Sequence, residues 1–164
     1  NTKYNPDLIK REFDEGHYIA NHGYTHKYST VYASPEATLD EYNFTQQAIR
    51  DALGNQNYKS KVFRFPGGSN GGHYHEAKQN SKAFLRENGI VHLDWNCLSK
   101  DAEGANTKEA LMQNIIDTMG DKDSVVILMH DASDKILTYE MLPELISYLR
   151  DKGYKFQTIY DLLD

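Results

Sequence analysis

The sequence predicts an α/β fold built on a parallel sheet, and three observations carry that expectation. Short β-rich runs alternate with amphipathic helical stretches, five strands in all along the 164 residues, the pattern of successive right-handed βαβ units. Val125 to Met129 is a run of five apolar residues bounded by Ser124 and His130, as expected of a strand covered on both faces in the middle of such a sheet. Reactive side chains collect just past the apolar runs, where parallel sheets and α/β barrels assemble their sites: His22 and His26, Arg64, Asp94 and Trp95, His130 and Asp131.

The elements follow in order. Asn5-Pro6-Asp7 starts a helix with Asn5 as N-cap, Leu8, Ile9 and Phe13 form its apolar side, and Gly16 stops it. Tyr18 to Ala20 is a short strand. Ser34-Pro35-Glu36 starts a second helix, in which Leu39, Tyr42, Gln46, Ile49 and Leu53 recur at helical spacing before Gly54. Lys61 to Phe65 is the next strand, followed by the permissive loop Gly67-Gly68-Ser69-Asn70-Gly71-Gly72. A helix from about Glu76 to Glu87 ends at Asn88-Gly89, and Ile90 to Trp95 is a strand. Thr107 caps a helix whose Leu111, Ile115 and Met119 share a face. After the Val125 strand, a helix begins near Thr138, with Pro143 expected in its first turn and Leu142, Leu145, Ile146 and Leu149 facing inward until Gly153. Lys155 to Thr158 is a last strand, and Ile159 to Leu163 a short terminal helix.

Composition narrows the function classes. The net charge is −6, and the 18 Lys and Arg are scattered rather than gathered into a stripe, so nucleic acid is not an expected partner. No apolar run approaches the roughly 18 residues of a membrane span, and no leader opens the chain. Cys97 is the sole cysteine, which excludes an internal disulfide. Twelve Tyr and six Phe suit a sugar-binding groove and an ordinary core equally.

His22 and His26, four residues apart, can hold a divalent metal, whose open catalytic form needs a third protein ligand and a water. A solvated turn is the bland alternative, as are a surface charge for Arg64, a turn-former for Asp94, a core aromatic for Trp95 and a satisfied ring for His130. Their gathering at one rim favours the functional reading. A rival cluster, His73-Tyr74-His75-Glu76, lacks a fourth ligand.

The motifs resemble those of the polysaccharide deacetylases that share the NodB homology domain, carbohydrate esterase family 4. His22-Gly23-Tyr24-Thr25-His26 is similar to the family's His-(Ser/Thr)-x-x-His metal motif, with Gly23 for the hydroxyl residue. Arg64-Phe65-Pro66-Gly67 is similar to Arg-x-Pro-Tyr, with Gly67 for Tyr; Asp94-Trp95 resembles Asp-Trp, and Leu128-Met129-His130 resembles Leu-x-His. The resemblance implies an incomplete distorted (β/α)7 barrel with about five of seven βα units, forming a single catalytic-type domain over residues 1–164 that is N-terminally truncated relative to the family. The family's Thr-Phe-Asp-Asp-Gly motif, with a metal-ligand and a base aspartate, has no counterpart before His22. Raw edges at the Tyr18 and Lys155 strands would follow, covered by a missing N-terminal segment or a domain-swapped copy.

The same resemblance implies a function. His22 and His26 would hold one divalent metal, zinc first, with cobalt or nickel as alternatives. Arg64 would pair with the base aspartate, the Gly67 N–H would help hold the oxyanion, and His130, oriented by Asp94, would be the general acid. Trp95 and Leu128 would wall the acetyl pocket beside Pro66. The implied reaction is removal of N-acetyl groups from peptidoglycan or a chitin-like N-acetylglucosamine polymer, outside the cell or at its envelope. The alternatives are a non-catalytic carbohydrate-binding remnant and an esterase on O-acetylated glycan such as xylan.

Overall fold

The computed structural model describes residues 2 and 4–163. Its helices run in the order α1 (Pro6–Asp14), α2 (Tyr28–Val31), α3 (Pro35–Leu53), α4 (His75–Glu87), α5 (Lys108–Met119), α6 (Ile136–Asp151) and α7 (Tyr160–Leu163). The strands are β1 (Val62–Phe63), β2 (Val91–His92), β3 (Cys97–Leu98) and β4 (Ile127–Leu128). The residues group into two compact units, Asn1–Asp94 with Thr158–Asp164, and Trp95–Gln157.

In the first unit β1 and β2 pair in parallel, Val62 opposite Val91, with α4 as the crossover helix. Asn21 adds a parallel bridge to Phe63 across the α3 crossover. Helix α3 forms as its sequence dictates. The Ser34 hydroxyl accepts from the Ala37 N–H, Pro35 occupies the first turn, and Gly54 closes the helix in left-handed conformation at φ +61°. One face carries Tyr42, Ile49 and Leu53 inward. Ile49 and Leu53 pack with Ile19, against which Ile9 and Phe13 of α1 lean, while Leu8 stays exposed. Tyr42 belongs to a second cluster with Val31, Tyr32, Phe63, Phe65, Leu85 and Ile90.

The second unit is one βαβ motif with α6 added. β3 and β4 pair in parallel, Cys97 opposite Ile127, across α5. The Thr107 hydroxyl caps α5 by accepting from the Ala110 N–H. Leu111, Met112, Ile115 and Met119 of α5 pack with Met141, Leu145 and Leu149 of α6 around Cys97. The Cys97 thiol is fully buried, 3.4 Å from the Ile115 carbonyl and from the Thr118 hydroxyl.

The ladders are shorter than the sequence suggests. Tyr18 to Ala20 forms no strand, because only Asn21 engages β1: its N–H donates to the Val62 carbonyl and its carbonyl accepts from the Arg64 N–H. Lys155 to Thr158 is exposed and belongs to no strand, since no neighbouring backbone pairs with it as a ladder. Neither expected raw edge is therefore a formed strand. The single strand expected over Ile90 to Trp95 gives way to β2 on β1 and, past Trp95, to the unexpected β3 on β4. There the Asn96 side chain substitutes for backbone, accepting from the Val126 N–H at 2.8 Å and donating to the Ser124 carbonyl at 2.9 Å. Val125 to Met129 is half-buried, with β4 paired only to β3 among the described residues, so it is not the middle strand expected. Pro143 lies in the middle of α6 rather than in its first turn. It is exposed, as is Tyr139, so the Tyr139 carbonyl left without an N–H donor faces water.

Candidate functional site

Candidate residues occur in both units, His22, His26, Arg64, Pro66, Gly67 and Asp94 in the first and Trp95, Leu128 and His130 in the second. In the first, the strap from His22 to His26 leaves Asn21 and returns into α2. Asn21 is fully buried; its side-chain amide donates to the Tyr42 carbonyl at 2.9 Å, and its side-chain oxygen accepts from the Gly23 N–H at 3.1 Å. Glu41 of α3 reaches the same strap. One carboxylate oxygen accepts from the Tyr24 and Thr25 N–H groups, each at 2.7 Å, and the side chain is buried. Charge-assisted bonds of this kind are about twice as strong as neutral ones. Gly23 at φ +81° and His26 at φ +56° make the turn, and a non-glycine residue in that region costs about 1–3 kcal/mol unless its surroundings enforce it.

The strap fixes the tautomer of its first histidine. His22 Nδ1 lies 2.7 Å from the Arg64 carbonyl oxygen, which can only accept. Nδ1 therefore carries a proton, and when the ring is neutral Nε2 holds the lone pair, the state in which imidazole binds a metal. The His22 and His26 rings stand 5.0 Å apart at 65°. Two imidazoles are thus brought together, and among the described residues no group of three or more His, Cys, Asp or Glu is arranged to hold a metal. The rival cluster fares no better, because His75 Nδ1 accepts from the Gly71 N–H at 3.1 Å and the His73 ring lies edge-on to Tyr74.

Arg64, Pro66, Gly67 and Asp94 belong to this half as well. Arg64 Nε donates to the Leu93 carbonyl at 3.2 Å; burial lowers the guanidinium pKa and the Asp94 charge opposes that shift. Pro66 is buried, and its carbonyl accepts from the Tyr32 hydroxyl at 2.6 Å. The Gly67 turn is pinned from the end of β2. Asp94 accepts from the Ser69 N–H at 3.0 and 3.1 Å and from the Ser69 hydroxyl at 2.7 Å, and Ser69 is fully buried.

The second half holds Trp95, Leu128 and His130. Leu128 lies on β4 and is half-buried, as is Trp95. His130 follows β4, and Asp101, which no motif singled out, takes hold of it. The Asp101 carboxylate accepts from the His130 N–H at 2.7 Å and faces Nδ1 at 2.8 Å; the Thr138 hydroxyl adds a bond at 3.1 Å. The Asp101 side chain is 4% exposed against 44% for His130. Burial pushes the Asp101 carboxyl up, but the His130 side-chain and backbone bonds, the Thr138 bond and the His130 charge together hold it below the ordinary value of 3.8. The motif reading gave the orienting part to Asp94; the residue bonded to His130 is Asp101. Asp94 serves the Gly67 turn, and Asp101 serves the histidine.

Three residues escaped the motif reading, with unequal signals. Glu41 sits beside Tyr42 and is buried, although the helical period of Leu39, Tyr42, Gln46, Ile49 and Leu53 passes over it. Asn21 has no signal beyond its place before His22. Asp101 lies seven positions past Asp94, beyond a strand that was itself not expected.

Comparison with known proteins fits this geometry. The polysaccharide deacetylase family model matches residues 1–84, which include the His22–His26 strap and the Arg64–Gly67 turn. A peptidoglycan-N-acetylglucosamine deacetylase of Bacillus cereus is 32% identical over 170 aligned positions, covering 98% of this chain and 57% of that protein. A CE4 esterase of Streptococcus mutans superposes with a TM-score of 0.82 at 30% identity, over 95% of this chain and 68% of that one. A mutant of a CE4 family pseudoenzyme with restored enzymatic activity gives 0.76 at 26% identity, over 99% and 54%. The chain spans about half the length of the curated relatives it matches. With the strap, the pinned Gly67 turn and the carboxylate-held His130 on an α/β fold, the chain belongs to the polysaccharide deacetylase family.

Proposed function

We propose that this chain carries the amide-hydrolysing face of a metal-dependent deacetylase that removes N-acetyl groups from peptidoglycan or a chitin-like N-acetylglucosamine polymer at the cell envelope. The observation that carries the reading is the contrast between two histidines: His22, held at Nδ1 by a carbonyl, and His130, held at Nδ1 by a buried carboxylate. The first arrangement presents a metal ligand, the second an oriented acid.

His22 and His26 would hold the metal, zinc first, with cobalt or nickel as alternatives; when bound, it supplies Lewis-acid polarisation and a more acidic water. The Gly67 N–H, in the turn that Asp94 pins through Ser69, donates to the developing oxyanion. Arg64 supplies positive charge beside that turn, and Trp95 and Leu128 line the acyl pocket. His130, kept in place by Asp101, hands its proton to the departing amine. The third metal ligand and the general base are assigned to carboxylates of the family's Thr-Phe-Asp-Asp-Gly kind, brought by a further chain segment. In this reading the whole is a distorted (β/α)7 barrel forming one catalytic domain, of which these residues make about five units.

Acetate release from an N-acetylglucosamine oligomer by the complete protein tests the proposal. It should vanish on chelation, return with zinc, and be lost in His130→Ala; full turnover after either treatment sinks it. The two-donor strap favours one second reading, a carbohydrate-binding protein without turnover. That reading predicts oligomer binding with no acetate released by the complete protein at any metal concentration.

A further inference from the structure

Gly67 stands where the resembling motif has an aromatic residue, and the structure shows why no side chain fits there. Its φ is +72°, and an added Cβ would fall inside van der Waals contact of the Tyr28 hydroxyl oxygen and 2.9 Å from Tyr28 Cζ. Tyr28 occupies that space. It opens α2 two residues past His26, and its ring centre lies 6.0 Å from the His26 imidazole.

Buried and half-buried neighbours grip the ring. Tyr32 and Tyr74 meet it edge-on, with centroids at 5.7 and 6.2 Å. Lys78, 3% exposed, places its ammonium 5.8 Å from the Tyr28 centroid and 5.3 Å from that of Tyr32. Tyr28 itself remains 38% exposed. An aromatic ring fixed from behind, open in front and ending in a hydroxyl between a metal-ligand candidate and an oxyanion donor has the form of a sugar contact, whose apolar C–H face and hydroxyl rim match ring and tip.

We infer that Tyr28 is a specificity-determining residue for an N-acetylated sugar, supplying from α2 the aromatic surface that residue 67 lacks. The inference rests on the deacetylase reading and places the sugar ring against Tyr28, beside the His22–His26 strap and the Gly67 N–H. Gly67 and Tyr28 form one steric unit, since a side chain at 67 displaces the ring.

The test is titration of the complete protein, stripped of metal so that no turnover occurs, with tetra-N-acetylchitotetraose, followed by amide chemical shifts, with the thermal midpoint of each variant measured alongside. Tyr28→Leu should weaken binding about tenfold and Tyr28→Phe about threefold at unchanged midpoint, the scale expected of an aromatic contact at a binding surface. Gly67→Ala should weaken it as Tyr28→Leu does, with shifts changing at residue 28. A Leu variant that binds as tightly as wild type overturns the assignment of Tyr28 alone. Equal losses in the Leu and Phe variants that follow a lowered midpoint overturn it in favour of a structural ring. Wild-type protein that binds no oligomer overturns this inference, whereas the deacetylase reading stands or falls separately on acetate release by the metal-loaded protein.

Discussion

His22 and His130 are both held at Nδ1, and the difference between their holders separates the two regions of the molecule. In the first unit a neutral carbonyl fixes a tautomer, and the strap around it is clamped by polar groups, Asn21 and Glu41, reaching from the core. In the second unit a carboxylate holds both the ring and the backbone N–H of one residue, on a layer of aliphatic and methionine side chains. In the proposed reading one region presents lone pairs and the other orients a proton donor. The lesson is that a histidine's role is legible in its partner before any ligand is considered.

The comparison breaks most readily at Asp101. In the complete, metal-loaded protein, Asp101→Asn should lower turnover by about 10²-fold or more, within the range of lost acid–base catalysis, whereas Asp94→Asn should act more weakly, through the Ser69 turn. Equal losses measured by acetate release would return the orienting part to Asp94. Next in size, Met141→Ala should destabilise by about 2–5 kcal/mol in urea melts, because the second unit rests on apolar packing. Glu41→Ala should cost about 1–3 kcal/mol by stranding two N–H donors. It should also speed hydrogen exchange at Tyr24 and Thr25, and Glu41→Gln, which keeps an acceptor, should restore most of the protection. Unchanged exchange in the Ala variant would show that the strap holds itself.

The smallest effect is that of pH. The Asp101 carboxyl lies below its ordinary value in the folded chain, so the unfolded chain binds this proton more readily. Its stabilisation is complete above the unfolded pKa, near 3.8, and fades as pH falls through the folded value. Urea midpoints taken between about pH 2 and 5 should therefore drop less steeply in Asp101→Asn than in wild type; parallel slopes would show that other carboxylates dominate.

Helix α3 was legible almost to the residue and α5 at its start, because Ser34 and Thr107 are local caps and a 3.6-residue period needs only its own sequence. Strands were legible as places and not as ladders. A ladder's length depends on the neighbour, and Cys97–Leu98 became β3 only because Ile127–Leu128 lies alongside. The same limit governed the site. His22, His26, Arg64 and His130 could be picked out by motif, but Asp101 and Glu41 act through contacts 29 and about 17 positions away in sequence. Pro143 shows the converse: a local rule placed it in a first turn, and packing on both sides of an exposed carbonyl carried α6 through it.

The lone thiol of Cys97 gives the second unit a clock of its own. It lies under α5 with no accessible surface, so a thiol reagent can reach it only when that helix lifts from β3. With no other cysteine in the sequence, the labelling rate counts openings of this unit alone. Comparing that rate with amide exchange in the His22–His26 strap would show whether the strap and the second unit open in step or independently.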